Sequence, residues 1–278
     1  MSGAGGRPTI VGVVNVTPDS FSDGGRYLDP AAACAHARAL ARAGAGVVEL
    51  GPAASSPDAA PVAAAEEIRR LEAVLPALVA GGLAVAVDSF QPGTQAWAAR
   101  QGAAYVNDVR GFPDPAARAA LAPHPCRLVV MHSVAPAGIA TRARTETRAV
   151  VAGVYRFFAA RLRELEAAGI ARERLIVDPG MGFFLGADPG PSLAMLRRLG
   201  HLRATFGLPV LVSVSRKSFL GAITGRAVAD RGAATLAAEL WAAAAGADYI
   251  RTHDVAALRD ALAVQAALSR PDDGEAPE

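Results

Sequence analysis

Eight short apolar runs recur along the chain, and longer segments with helical spacing of apolar residues separate them. The runs have strand length, and their near-continuous apolar character is typical of strands buried on both faces of a sheet. We therefore predict strands at about 9–14, 46–50, 83–87, 103–106, 127–131, 174–177, 208–213 and 247–251.

The segments between the runs predict helices with one buried face. Segment 62–80 places four aliphatic side chains on one face and its charged side chains outside, and two later segments repeat the pattern. The buried stripes are Ile68, Leu71, Leu75 and Leu78, then Val150, Val154, Phe157, Phe158 and Leu165, then Leu193, Leu196, Leu199 and Phe206.

Strands that alternate with helices predict a parallel sheet, because each helix carries the chain back to start the next strand. Eight such units favour a single α/β domain over 9–268, a (β/α)8 TIM barrel with parallel strands and its active site at the C-terminal face. An open, doubly wound sheet is the alternative. The ends, 1–8 and 269–278, predict disordered tails.

Composition and charge narrow the classes of protein. The 278 residues carry a net charge of only +2, and the arginines are scattered, which argues against a nucleic-acid partner. No apolar stretch is long enough for a membrane span, and the N-terminus lacks the apolar segment of a signal peptide. The two cysteines, Cys34 and Cys126, suggest neither a zinc site nor a disulfide framework. We expect a soluble, cytoplasmic protein.

Three polar residues of types that are rare in this chain follow predicted strands. Lys217 is the only lysine, and Asn15 and Asn107 are the only asparagines. Each comes shortly after an apolar run, at the carboxyl end of a predicted strand. Because barrel enzymes assemble their sites at these ends, the three residues predict a chemical site. Other polar or small residues follow the runs in the same way: Gly51, Asp88, Asp108, His132, Asp178, Ser215, Arg251 and His253.

One sector of this ring suits an anion. Arg251 and His253 are two residues apart, so an extended strand points both to one face, where a guanidinium beside an imidazole can bind phosphate oxygens. Asn15 offers a carbonyl oxygen of the kind that helps to hold hydrated Mg²⁺ on a diphosphate. A surface ion pair for Arg251 and a capping or core role for His253 are the structural alternatives.

The other sector suits a flat heterocycle. Asp88, Asn107 and Asp178 supply acceptors for the N–H edge of an aminopyrimidinone, and Lys217 can donate to a ring carbonyl. We expect Ser213, Ser215 and Lys217 to alternate onto one face, with the serines behind the lysine. Asp88 and Asp178 could instead be helix N-caps. The chain has no Gly-x-Ser-x-Gly elbow and no Cys–His pair, so no protein nucleophile is implied.

Six segments together resemble dihydropteroate synthases across essentially all of 9–268. They are 15–21, 88–89, 107–108, 178–180, 215–218 and 251–254. That family joins a pterin methyl diphosphate to p-aminobenzoate, with Mg²⁺, and releases diphosphate. The resemblance implies a homodimer and small-molecule substrates only.

The resemblance also implies roles for single residues. It gives Lys217, Arg251, His253 and Asp88 catalytic roles, and it implies that Asn15 lies near Mg²⁺ and diphosphate. It implies pterin contacts for Asp88, Asn107, Asp178 and Lys217, and diphosphate contacts for Arg251 and His253. It implies that Ser218 lies near the aminobenzoate carboxylate. Phe183 and Ser55 are further predicted substrate-binding residues.

Two departures from the common family pattern resemble its sulfonamide-insensitive (Sul-type) branch. The loop after the second strand has Ser56 where the family usually has an arginine, and segment 182–185 has Phe184 and Leu185 where a glycine and a lysine are usual. We hypothesise that Phe183, Phe184 and Phe219 lie near the rim of the site and exclude the extra bulk of sulfonamides. Packing in the core is the alternative for each. The competing interpretations are a pterin-binding paralogue without synthase activity and a methyltetrahydrofolate-dependent methyltransferase.

Overall fold

Eight parallel strands form a ring with helices outside it, which confirms the predicted (β/α)8 barrel. The computed structural model describes residues 7–17, 29–54, 60, 62–135 and 140–269. The strands are β1 Thr9–Asn15, β2 Val47–Gly51, β3 Val85–Asp88, β4 Tyr105–Asp108, β5 Arg127–Met131, β6 Leu175–Asp178, β7 Leu211–Val212 and β8 Tyr249–Thr252.

The ring runs in the order β6-β5-β4-β3-β2-β1-β8-β7. A parallel bridge between Val177 and Val210 joins β6 to the residue before β7 and completes the circle. The open-sheet alternative is therefore wrong. Most of the predicted tails, residues 1–6 and 270–278, lie outside the described residues, as does Ser55.

Eleven α-helices are present in the described part of the chain. They are α1 Pro30–Ala43, α2 Ala64–Leu71, α3 Leu75–Ala80, α4 Pro92–Arg100, α5 Pro115–Leu121, α6 Thr147–Ala167, α7 Pro189–Leu196, α8 Leu199–Phe206, α9 Ser218–Thr224, α10 Gly232–Ala244 and α11 Val255–Leu268. None of these described helices is both long enough and apolar enough to cross a membrane.

The predicted long helix over 62–80 is wrong in one respect, because it is two helices. Pro76 stands in the first turn of α3, where its missing N–H costs nothing, but it prevents α2 from continuing through this point. The predicted stripe over 193–206 is likewise divided between α7 and α8. In α6, the predicted stripe is confirmed, and Val154, Phe158 and Leu165 are fully buried.

The core has two parts that follow from the two faces of each strand. The outward-facing side chains pack against the helices in one large apolar cluster. The inward-facing side chains fill the barrel below the site with a smaller cluster, which closes the bottom of the barrel as a packed core. Its members are Val11, Val47, Ala86, Val129, Ile176, Leu211 and Tyr249.

Candidate active site

Polar side chains replace apolar ones two residues further along several strands, above the inner apolar cluster. We call this space at the carboxyl ends of the strands the barrel mouth. Because inward positions recur every second residue, Val47 is followed by Glu49, Ala86 by Asp88, Ile176 by Asp178 and Tyr249 by Arg251. The lining charged and amide side chains are Glu49, Asp88, Asn107, Asp178, Lys217 and Arg251.

The strand boundaries correct one expectation about these residues. Four of them, Asn15, Asp88, Asn107 and Asp178, are strand residues and do not follow the strands as predicted, whereas Arg251 lies within its strand as predicted. Their backbones are paired in the sheet, as in the register of Asp88 with Asn107. The sheet therefore fixes their Cα positions, and the site lies on rigid elements.

Arg251 lies at the centre of the charges. Its Nη2 forms an ion pair with Oε1 of Glu49, and it also donates to Oδ2 of Asp88 at 3.3 Å. The Nε atom of Arg251 is buried and has no hydrogen-bond partner among the described residues. Burial opposes the charge of Arg251, but the carboxylates of Glu49 and Asp88 outweigh it and raise the pKa of the guanidinium. The surface ion-pair alternative is excluded, because Glu49 is buried inside the barrel and the Asp88 side chain is only 11% exposed.

The helix-cap alternatives for the two aspartates are also excluded. Asp178 is buried, and its Oδ1 accepts from the backbone N–H of Gly180 at 2.8 Å inside a turn. The helix that follows Asp88 begins after Gln91, with no side-chain cap from Asp88. Burial raises the pKa of both carboxyls, that of Asp178 to about 6, while Lys217 and Arg251 oppose the rise.

Two adjacent residues of β4 have different surroundings. The Asn107 side chain faces into the barrel, where its Nδ2 donates to Oε2 of Glu49 at 3.4 Å, and its Oδ1 is buried without a partner in the described structure. Asp108 faces outward and accepts from the backbone N–H groups of Arg110 and Phe112 and from Gln95. Asn107 is thus available to a ligand, whereas Asp108 holds the following turn.

Lys217 reaches the mouth through a turn and not through the predicted strand alternation. The preceding residue, Arg216, has a φ of 59°, and the Lys217 N–H bonds to the carbonyl of Val214 at 3.1 Å. The ammonium lies 4.9 Å from the ring centroid of Phe184. Burial lowers the pKa of Lys217 to about 8, helped by Arg251 and opposed chiefly by Asp178. The lysine is therefore protonated for the most part at neutral pH.

Ser215 supports the histidine and does not lie behind the lysine as expected. Its Oγ is 2.8 Å from Nδ1 of His253 and also accepts from the backbone N–H of His253 at 3.3 Å. Burial, together with the nearby cations Arg216, Arg251 and Lys217, lowers the pKa of His253 to about 3. The imidazole is neutral without a ligand, and the bond to Ser215 leaves its Nε2 for one.

Asn15 ends β1 at the rim of the mouth and is half-buried. Its neighbour in the sheet is Gly51 of β2. A Cβ at Gly51 would lie 3.3 Å from Oδ1 of Asn15, so the glycine leaves space beside this oxygen. Asn15 thus stands at the end of β1, and the lack of a side chain at Gly51 leaves space beside its oxygen.

The three phenylalanines have different positions. Phe184 is buried beside Lys217 in a 3-10 turn, Gly182–Phe184, and Phe183 is half-buried in the same turn. Phe219 is only 1% exposed and belongs to the large core outside the barrel. The expectation that Phe219 lies at the rim is therefore wrong, because the first turn of α9 directs its side chain away from the mouth.

The 3-10 turn Gly182–Phe184, which we call the phenylalanine turn, packs against Lys217 and Ser218 after β7. Gly182 has a φ of +63°, and a Cβ there would lie 2.9 Å from Oγ of Ser218, so a larger residue cannot replace it without a shift. The Oγ of Ser218 is buried and unpartnered within the described ranges. The loop after β5 clamps the turn from its other side, through bonds of Val134 N–H to Phe184 O and of Thr141 N–H to Phe183 O, both 2.9 Å.

Two acidic residues of this region were missed by sequence reasoning. Glu49 is 1% exposed inside the barrel, and burial raises its pKa to about 7 against the effect of Arg251. Glu67 of α2 accepts from the hydroxyl of Ser89, which in turn accepts from the N–H of Gln91 and so shapes the turn after Asp88. A carboxylate inside the apolar run 46–50 was the available signal for Glu49.

Known proteins match this arrangement. The family model described as "Pterin binding enzyme" matches residues 11–253. Dihydropteroate synthase type-2 of Escherichia coli is 58% identical over 259 residues, which cover 93% of this chain and 95% of that protein. The match confirms the resemblance drawn from the six segments, including its branch.

The structure is also similar to solved structures of dihydropteroate synthases. The Xanthomonas albilineans dihydropteroate synthase with 4-aminobenzoic acid superposes with a TM-score of 0.85 at 40% identity, covering 95% of this chain and 94% of that one. The Yersinia pestis dihydropteroate synthase in a sulfonamide drug complex has a TM-score of 0.85 at 31% identity, with 94% of each chain covered.

Proposed function

The chain belongs to the dihydropteroate synthase family of pterin-binding enzymes, and we propose that it condenses 6-hydroxymethyl-7,8-dihydropterin diphosphate with p-aminobenzoate to give 7,8-dihydropteroate and diphosphate. The observation that carries the proposal is the barrel mouth. Buried acceptors and one ammonium stand there beside an arginine and a histidine, so one ligand with a polar heterocycle and an anionic tail can meet both sets.

The heterocycle would lie against Asp178, Asn107 and Lys217. Asp178 can accept two parallel N–H bonds from an aminopyrimidinone edge, which is the strongest arrangement for a carboxylate. Lys217, still protonated at neutral pH, can donate to the ring carbonyl. Asp88 lies between this group and Arg251 and supplies a further acceptor.

The diphosphate would lie against Arg251 and His253. The neutral imidazole can donate one N–H to an oxygen of the leaving group, and Arg251 adds its positive charge. Arg251 lies in β8 and His253 directly follows the strand, so both stand at its carboxyl end. These groups are aimed at the place where negative charge grows as the diphosphate leaves.

Mg²⁺ fits this site as an ion held mainly by the diphosphate and not by a cage of protein side chains. Within the described ranges, no group of three or more His, Cys, Asp or Glu side chains could cage a metal ion. Asn15 offers one neutral oxygen with space beside it, which suits a hydrated Mg²⁺ held mainly by the oxygens of a diphosphate. When bound, the ion would neutralise charge on the diphosphate.

The protein residues then act by positioning and electrostatics. The bond between the pterin methylene carbon and the diphosphate oxygen breaks, while Arg251 and His253 stabilise the departing anion. The amine nitrogen of p-aminobenzoate forms the new C–N bond to that carbon and releases a proton. Holding both reactants in line supplies most of the acceleration, since no step needs a protein nucleophile.

The aminobenzoate end would be formed by Ser218 and the phenylalanine turn. Phe184 occupies the space over Lys217, and Phe183 is its half-buried neighbour in the same turn. A sulfonamide carries a tetrahedral sulfonyl group and a further substituent, and fixed aromatic bulk can clash with these without touching the flat substrate. We propose that this turn discriminates against sulfonamides.

The test is diphosphate release by the purified protein with the pterin diphosphate, Mg²⁺ and p-aminobenzoate, repeated with rising sulfamethoxazole. We expect turnover that persists at drug concentrations that stop an ordinary synthase. Pterin binding without turnover would instead support the paralogue without synthase activity. Transfer of a methyl group from methyltetrahydrofolate would support the methyltransferase.

A variant series tests the discrimination. Phe184→Ala and Phe183→Ala should lower the inhibitory concentration of the drug about tenfold or more while turnover remains. Phe206→Ala is the control, because Phe206 stacks on Tyr155 away from the mouth. If no phenylalanine variant becomes more sensitive than this control, the steric explanation is wrong.

We also propose a homodimer in the cytoplasm. Trp241 of α10 is 56% exposed, and Val264 and Leu268 of the neighbouring α11 are 59% and 81% exposed. Large apolar side chains on adjacent helices favour a self-complementary contact. Cys34 and Cys126 are free, buried thiols, which suits a reducing compartment.

A further inference from the structure

Glu49 contacts residues from both sectors of the barrel mouth. It stands in the middle of β2, directly beside the inner apolar cluster, and is 1% exposed. One carboxylate oxygen pairs with Nη2 of Arg251 on β8, and the other accepts from Nδ2 of Asn107 on β4 at 3.4 Å. A single side chain thus contacts both a proposed diphosphate residue and a proposed pterin residue.

The contact decides the orientation of the Asn107 amide. An ionised carboxylate only accepts hydrogen bonds, so the NH₂ group of Asn107 must face Glu49. The carbonyl Oδ1 then points away from Glu49, and it is buried without a partner in the part of the chain that is described. A buried acceptor in this state is costly until a ligand N–H meets it.

The same carboxylate restrains Arg251. The guanidinium Nη2 lies between Glu49 and Asp88, at 3.3 Å from the Asp88 Oδ2. If Glu49 lost its charge, Asp88 would be the remaining paired carboxylate for that nitrogen. Asp88 would then be less available as an acceptor for the heterocycle.

We propose that Glu49 is a positioning residue, which holds the Asn107 carbonyl toward the N–H edge of the pterin and keeps Arg251 from being taken up by Asp88. Glu49 itself does not touch the reacting atoms. The inference rests on the proposed function, because it requires a pterin in the mouth.

Protonation of Glu49 should weaken the effect. Burial raises the pKa of Glu49 to about 7. The nearby carboxylates Asp88 and Asp178 add to the rise, whereas Arg251 and Asn107 oppose it. Lys217 is the other charged group that faces the barrel mouth. A protonated carboxyl can donate to Asn107, which allows its amide to turn around. Pterin affinity should therefore fall as the pH falls through about 7, before Asp178 is protonated near 6.

The experiment measures the binding of 6-hydroxymethyl-7,8-dihydropterin, which lacks the diphosphate, by calorimetry at pH 8 and pH 6.5. It is done on the wild type, Glu49→Gln and Glu49→Asp. The KM values for the pterin diphosphate and for p-aminobenzoate are measured separately on the same proteins. Tyr105→Phe is the matched control, since Tyr105 also points into the barrel but lies below the mouth, against Tyr249.

For Glu49→Gln we expect pterin Kd at pH 8 to rise about tenfold or more, with a parallel rise in the KM of the pterin diphosphate. The KM of p-aminobenzoate should stay within about threefold, and the fall in affinity from pH 8 to 6.5 should shrink. Glu49→Asp keeps the charge and should recover part of the affinity. Tyr105→Phe should bind the pterin as the wild type does.

The inference is overturned if Glu49→Gln binds the pterin like the wild type at both pH values. It is also overturned if the KM values of the pterin diphosphate and of p-aminobenzoate both rise and the Tm falls, since that result indicates a general loss of structure. If Glu49→Gln does not fold, Glu49→Asp decides the matter, because unchanged pterin binding in a protein with a withdrawn carboxylate contradicts the inference. A wild type that neither binds the pterin nor releases diphosphate would refute the proposed function instead.

Discussion

Replacing Glu239 by glutamine should make the protein more resistant to alkaline pH. Glu239 lies in α10 with 1% exposure, and its carboxyl group bonds to the side chain of Thr252, on the outer face of β8. Burial raises its pKa from 4.5 to about 7, since the Thr252 hydroxyl only partly opposes this effect. The folded protein therefore keeps a proton on Glu239 that the unfolded chain loses near pH 4.5.

The sign and size of the effect follow from this difference. Between pH 4.5 and 7 the folded state binds more protons, so the free energy of unfolding falls as the pH rises. The stabilisation is complete below 4.5 and is lost by about pH 7, and a pKa rise of this size corresponds to about 3 kcal/mol. Glutamine has no proton to lose and can still accept from Thr252.

The amide also brings a cost that does not depend on pH. Oε1 of Glu239 has no hydrogen-bond partner among the described residues, so an NH₂ group placed there costs about 1 kcal/mol. Glu239→Gln should thus be about 1 kcal/mol less stable than the wild type near pH 4.5 and about 2 kcal/mol more stable at pH 8.

The assay is thermal and urea unfolding of both proteins from pH 4.5 to 8, where each kcal/mol corresponds to about 2 to 4 °C in Tm. The control is Glu66→Gln, because hydrogen bonds from Arg69 and Arg70 lower the pKa of the partly exposed Glu66 to about 2. Its stabilisation is present above 4.5 and is lost only at lower pH, so the stability difference between Glu66→Gln and the wild type should be nearly constant from pH 4.5 to 8. A stability difference for Glu239→Gln that is the same at pH 4.5 and pH 8 would refute the reasoning.

Three further outcomes are expected. In pH–rate profiles of the wild type, kcat/KM for the pterin diphosphate should fall as the pH rises through about 8, because Lys217 loses its proton there. Lys217→Arg should remove this fall and lower the maximal kcat/KM by about tenfold to a hundredfold. Gly182→Ala should lower stability by about 1 to 3 kcal/mol and raise the KM of p-aminobenzoate, since the new Cβ would crowd Ser218; unchanged urea midpoints would contradict this. Trp241→Asp should convert a dimer to a monomer in sedimentation equilibrium, whereas a wild-type monomer would refute the proposed interface.

The sequence was sufficient for the architecture because the barrel depends on a repeating pattern. Each apolar run needs only local information, and the order of runs and helices determines the parallel ring. Lys217, Asn107 and Arg251 could be found for the same reason, since the end of a run marks the mouth. The division of 62–80 into two helices was also visible in principle, because Pro76 stands at the break.

Side-chain contacts between residues that are distant in the chain could not be predicted from the pattern of apolar runs. Glu49 lies inside an apolar run, and its importance comes from Arg251 and Asn107, which are far away in the chain. The bond of Ser215 to His253 has the same character. The position of Lys217 depends on one backbone angle at Arg216, which no residue pattern indicates.

Neighbouring polar residues on a strand serve different purposes, because successive side chains point to opposite sides of the barrel wall. On β8, Arg251 faces the mouth and Thr252 faces Glu239 in the helix layer. On β4, Asn107 faces the mouth and Asp108 holds the outer turn. Substitution of an inward residue should therefore change ligand affinity, whereas substitution of its outward neighbour should change stability. Glu49→Gln and Glu239→Gln replace the same carboxyl group by an amide on opposite sides of the wall, and only the first should alter pterin binding.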